Sequence, residues 1–136
     1  MSRAQERQAA TVALYQHELT GQPLADALGP DASSFASGLA GAAAEHAREL
    51  DAVVSRHAHG WSVERIHPLE LAIMRIALVE MLHPELVEAD APIPAEGAIE
   101  EAVRNAKTFC GTEAPGFVNG VLDAALREVR DNAAHR

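Results

Sequence analysis

Apolar positions recur along this chain at three- and four-residue spacing, the signature of helices that bury one face. Residues 3–20 form the first predicted helix. Val12, Tyr15 and Leu19 have core-facing spacing, and Gly21 with Pro23 ends the run. Residues 24–32 read as a loop or short turn. A long helix follows, capped by Ser33 or Ser34. Its stripe of Phe35, Leu39, Ala42, Ala43, His46, Leu50, Val53, Val54 and His57 is sustained until Gly60. Trp61-Ser62 opens a second half, with a short helical turn over 62–65 and Pro68 suited to the first turn of another helix. Residues 69–82 are apolar on almost every side, interrupted by Glu70, Arg75 and Glu80, which predicts a central, largely buried helix. His83-Pro84 ends it and residues 84–93 form an acidic loop. Pro94 starts a helix with the stripe Ile99, Ala102, Val103, Ala106 and Phe109, stopped by Gly111. The last helix begins near Ala114 or Pro115 and frays after Arg130.

Six or seven helices with short connections predict an all-α protein built of packed antiparallel bundles. Within the last helix, Gly120 costs about 1 kcal/mol relative to alanine. That predicts a neighbouring helix packed too close for a Cβ.

Composition agrees. At 136 residues and 48 % hydrophobic content, the chain is one globular domain's worth. Few aromatics favour close-packed helices. The single cysteine, Cys110, excludes an intrachain disulfide. No apolar run is long enough to span a membrane and the start lacks a signal peptide's apolar region, so the cytoplasm is the expected compartment. The net charge of −9, with ten arginines and one lysine among twenty acids, repels nucleic acid on average. RNA affinity then requires a local patch or a partner that supplies positive charge.

Enzyme chemistry finds little support. His57 and His59 are two apart and cannot share a helical face, so no metal site is expected, and His46 reads as a hydrogen-bonded core histidine. Lys107 lies one turn before Cys110 and could lower its pKa, but no base accompanies the thiol. The acid pairs Glu100/Glu101 and Glu88/Asp90 read as solvated faces. No glycine-rich cofactor loop is present, so neither catalytic residues nor cofactors are expected.

An ordered series of motifs is more specific. Ala13-Leu14-Tyr15-Gln16 near the start is followed by a pattern from Phe35 to Asp51 that contains Leu50-Asp51. Met74-Arg75-Ile76-Ala77 and Glu80 lie within the segment from Trp61 to Glu80. Glu101-Ala102-Val103 and Ala106-Lys107 come next, and Phe117-Val118-Asn119-Gly120-Val121-Leu122-Asp123 closes the series. Over nearly the whole chain this resembles the NusB family of transcription antitermination factors.

The resemblance implies two helical subdomains packed side by side, residues 1–60 and 61–136. It implies an RNA-binding adaptor that pairs with the basic ribosomal protein NusE, binds boxA RNA, notably in ribosomal RNA operons, and joins an RNA polymerase antitermination complex. The candidate RNA residues begin with Arg3 and Arg7, four apart on one helical face where both can reach phosphates. Tyr15, Phe109 and Phe117 are aromatics able to stack on unpaired bases. Glu113 stands where the family often has an acid. Glu70 and Glu80 are candidates for an acidic surface facing NusE, while Arg75 is expected to pair within the bundle. The family's dense N-terminal arginine segment is thinned here to Arg-Ala-Gln-Glu-Arg-Gln. That leaves a second expectation open, a protein-only adaptor without autonomous RNA binding.

Overall fold

A computed structural model describes residues 1–88 and 92–135, so Asp90 of the Glu88/Asp90 pair lies outside the described residues. The described residues form seven α-helices and two short 3-10 turns, with no strand among them. These are α1 (Arg3–Thr20), α2 (Leu24–Leu28), α3 (Ser34–Glu45), α4 (Ala47–His57), α5 (Pro68–Leu82), α6 (Ala95–Phe109) and α7 (Ala114–Ala134). The turns are Val63–Arg65 and Pro84–Leu86.

Local chemistry accounts for most boundaries. Ser2 and Gln5 form a capping box at the start of α1, each side chain accepting the other's backbone N–H at 3.1 and 2.8 Å. Gly21 ends α1 in the left-handed region at φ 76°, where a side chain would be strained. Ser33 caps α3 by accepting from the Ala36 N–H at 3.0 Å. The long helix expected after Ser33 is broken at His46, whose backbone turns to φ −99°, ψ 19°. Leu50 N–H still bonds the His46 carbonyl, so the ladder bends rather than stops. The apolar stripe survives on both sides of the bend, as Phe35, Leu39 and Ala43, then Leu50, Val53 and Val54. His46 itself sits at the rim of the core, its side chain 31 % exposed, and not within it.

Helix α5 is the axis of the molecule. Ten consecutive residues, Leu71 to Glu80, are buried, and α1, α3, α4, α6 and α7 all pack on it. A helix covered on every side must also pair its charges internally. Arg75 donates to both carboxylate oxygens of Asp51, each at 2.7 Å, and reaches Glu18 at 2.9 Å. One contiguous core runs through both halves of the chain.

The same rule corrects two expectations. Arg7 and Glu80 are not exposed charges. They are 8 % and 7 % accessible, and Arg7 donates through Nε and Nη2 to the two Glu80 oxygens at 2.7 and 3.0 Å. The physical reason lies in the register of α1. Its core stripe is Arg7, Ala10, Thr11 and Leu14, whereas Leu19 is 58 % exposed and Val12 and Tyr15 are half-buried. Arg7 therefore points inward along the line of Leu14, where only a bidentate carboxylate could accompany it.

In the last two helices, Val118, Val121, Leu122 and Ala125 face the core as expected, and α7 continues past Arg130 to Ala134. Gly120 departs from expectation: a Cβ there would meet nothing within 4 Å. The glycine that does face close packing is Gly97, where a Cβ would lie 2.8 Å from the Ile93 side chain.

Candidate nucleic-acid interface

Where the turn Val63–Arg65 and the start of α5 meet the start of α7, an open cleft of about 320 Å³ forms. Trp61, Arg65, Ile66, His67, Glu70, Glu113 and Phe117 line it. His67, Glu70 and Glu113 also border a second, more open concavity that runs on to Phe109 and Cys110. The positions follow from the local sequence. Gly60, at φ 83°, turns the chain out of α4 and leaves Trp61 53 % exposed. Pro115 near the start of α7 sets that helix to begin at the cleft, with Glu113 as its N-terminal flank and Phe117 one turn in.

The arrangement has a definite chemistry. Trp61 and Phe117 offer aromatic surface, and Phe109, 39 % exposed, adds more along the second concavity. Arg65, Arg48 and Lys107 are the only cations without an ion-pair partner among the described residues, and Arg65 alone of these lines the cleft. Glu70 and Glu113 are acceptors that repel phosphate and attract the exocyclic amines of bases. Aromatic surface beside carboxylate acceptors is the chemistry that stacks on a planar ring and accepts from its amines.

The structure thus brings Phe117, Glu113, Glu70 and Phe109 together, although the sequence suggested RNA for three of them and a protein partner for Glu70. Arg3 and Tyr15 do not line the cleft. Arg3 pairs with Glu6 at 3.2 Å and its guanidinium lies 4.2 Å over the Phe35 ring. Glu6 in turn accepts from the Ser33 hydroxyl, which with Arg3 holds its carboxyl below the usual range against the opposing effect of burial. Tyr15 is half-buried against the core. Trp61 and Arg65 were missed as site residues. A tryptophan in the polar setting Gly60-Trp61-Ser62, outside any apolar stripe, was the available signal.

Cys110 is not an activated thiol. Partial burial, together with the charge of Glu70, pushes its pKa up rather than down, and Lys107 does not reverse this.

Comparison with known proteins gives this geometry a context. Residues 4–127 match the family model described as the NusB family. The transcription antitermination protein NusB of Rubrobacter xylanophilus is 37 % identical over 131 residues, covering 92 % of this chain and 90 % of the relative. Among solved structures, T. maritima NusB superimposes with a TM-score of 0.81 at 28 % identity, over 94 % of this chain and 92 % of that one. A crystal structure of the antitermination factors NusB and NusE in complex with dsRNA shares the fold at a TM-score of 0.75 and 24 % identity, over 94 % of this chain and 99 % of that one. With the ordered motifs, the all-helical fold and a family match over nearly its full length, this chain belongs to the NusB family.

Proposed function

We propose that this chain is a non-enzymatic transcription antitermination factor. With the ribosomal protein NusE it binds boxA RNA in nascent transcripts, notably of ribosomal RNA operons. It acts in the cytoplasm within an RNA polymerase antitermination complex. Family membership supports the activity, and the solved assembly of NusB and NusE on RNA supports both partners. The observation that carries the RNA reading for these residues is the cleft that gathers Trp61, Phe117 and Arg65. An unpaired base enters between the aromatic surfaces, Arg65 meets a phosphate at the mouth, and Glu113 and Glu70 accept from base amines. NusE supplies the positive charge that a chain of net charge −9 lacks.

The test is a titration of fluorescent boxA RNA at fixed salt, with and without NusE. NusE should tighten binding by about tenfold, about 1.4 kcal/mol of coupling. Trp61→Ala should weaken binding by about 1–3 kcal/mol, the usual worth of one base–aromatic stack. Equal affinity with and without NusE overturns the composite mechanism. Unchanged affinity in the Trp61 variant removes the cleft from the interface.

A second reading is favoured by one observation: Arg7 is buried and Arg3 is paired with Glu6, so α1 presents no unpaired arginine. On that reading the protein is a protein-only adaptor. It binds NusE normally and adds nothing to RNA affinity.

A further inference from the structure

At the bend between α3 and α4, two side chains three residues apart meet a third from far along the chain. His46 stands at the bend, Glu49 one turn into α4, and His83 at the C-terminal end of α5. His83 Nε2 lies 2.7 Å from Glu49 Oε1, and His46 Nδ1 lies 3.4 Å from Glu49 Oε2. The two imidazoles are stacked with centroids 5.2 Å apart and planes inclined by 28°. One ligand atom from each residue falls within a span of 4.8 Å. We propose that His46, Glu49 and His83 form a binding site for a divalent transition metal of the zinc class.

Donor chemistry selects the ion. Two imidazole nitrogens and one carboxylate oxygen suit zinc, nickel or copper, whereas magnesium and calcium require oxygen ligands throughout. Geometry permits it. Ligand bonds of about 2.0–2.2 Å in a tetrahedron separate donor atoms by about 3.4 Å. The present separations bracket that value, and small side-chain rotations close the set. Access is open, because the side chains of His46, Glu49 and His83 are 31 %, 48 % and 23 % exposed. The fourth position faces solvent and takes water. Glu85 stands 3.5 Å from His83 Nδ1, the nitrogen left over when Nε2 binds the ion, and supplies the carboxylate that commonly orients a metal-bound histidine.

The alternative is a hydrogen-bonded His–Glu–His cluster that takes no ion, and the two readings separate experimentally. Untagged protein stripped with a chelator is titrated with zinc chloride by calorimetry. The expected result is saturable binding of one zinc per chain. Glu49→Gln and His83→Gln should each weaken it by about a hundredfold or more, and His59→Gln should leave it unchanged. Zinc should raise the melting temperature of the parent protein and not of the Glu49→Gln variant, because an ion bound only by the folded state stabilises it. The three residues lie at the rim, and melts without metal verify that each variant folds. Should a variant unfold, cobalt chloride on the parent protein decides: a visible absorption band saturating at one equivalent supports the site. Absence of that band, absence of saturable zinc binding, or zinc binding undiminished in folded Glu49→Gln and His83→Gln overturns it.

Discussion

The fate of two arginines four residues apart shows what a single side chain's direction decides. Arg3 and Arg7 do share a face of α1, as their spacing predicted, and both guanidinium groups lie over Phe35, at 4.2 and 5.3 Å. That face turns inward at Arg7, while the side chain of Arg3 at the helix start stays 48 % exposed and pairs with Glu6. Burial alone would lower the Arg7 pKa, but the two hydrogen bonds to Glu80 and its charge outweigh this and raise it. Arg7→Gln should therefore lower the unfolding free energy by about 3–5 kcal/mol, because it strands the Glu80 carboxylate without a charge partner. The pair Arg7→Met with Glu80→Leu should restore most of that loss, and Arg3→Gln should change stability little; urea melts measure all three. A loss below about 1 kcal/mol in Arg7→Gln would mean that Glu80 finds water instead. The register was not legible because the true core stripe is marked by Ala10 and Thr11, small residues with weak signal, while Val12, Tyr15 and Leu19 draw the eye to the neighbouring face. Gly120 carries the opposite lesson. A helical glycine suggested close packing, but its surroundings are open, so Gly120→Ala should raise the unfolding free energy by about 1 kcal/mol. A drop in melting temperature would place a neighbour at Gly120 that the fold does not.

Between elements, ion pairs fasten helices that the apolar stripes only bring near. Helix α4 is joined to α7 where Glu128 accepts from His57 and pairs with Arg56. The hydrogen bond from His57, with further help from Arg56, depresses the Glu128 carboxyl despite the opposing effect of burial. A depressed carboxylate contributes stability above its unfolded pKa and loses it as pH falls through the folded value. Glu128→Gln should thus melt lower than the parent near about pH 6, by an amount worth at most about 1 kcal/mol, and the gap should close toward about pH 3. A gap that persists at low pH would assign the loss to packing instead of charge. At this scale the sequence was informative about helices and poor about convergence. Five helical stretches and the covered α5 follow from periodicity and caps, whereas α2 lies in a segment read as a loop or short turn and the bend at His46 has no proline or glycine to announce it. Glu113 and Phe117, singled out in the sequence as candidate RNA residues, both line the cleft. Trp61 and Arg65 join them from across the fold, as His83 joins Glu49, and no local pattern records such meetings.

For the whole molecule, a net charge of −9 repels nucleic acid on average, and ion pairing of seven of the ten arginines leaves few cations to offset it. The position of α5 has a consequence for how the chain is made. Every large helix rests on a segment that ends at Leu82, and the carboxylate that neutralises Arg7 is Glu80. Before α5 is made, α1 and α3 can pack only on each other and on their near neighbours, and Arg7 has no counter-charge. Cooperative assembly is therefore expected only once α5 is present, since that helix touches all the others of any length. An isolated fragment of residues 1–60 should accordingly give a broad, non-cooperative melt and expose dye-binding apolar surface, whereas the full chain melts in one step. A sharp transition from that fragment would mean that the N-terminal half is a folding unit in its own right, and nascent chains stalled before α5 would then need no chaperone to shield them.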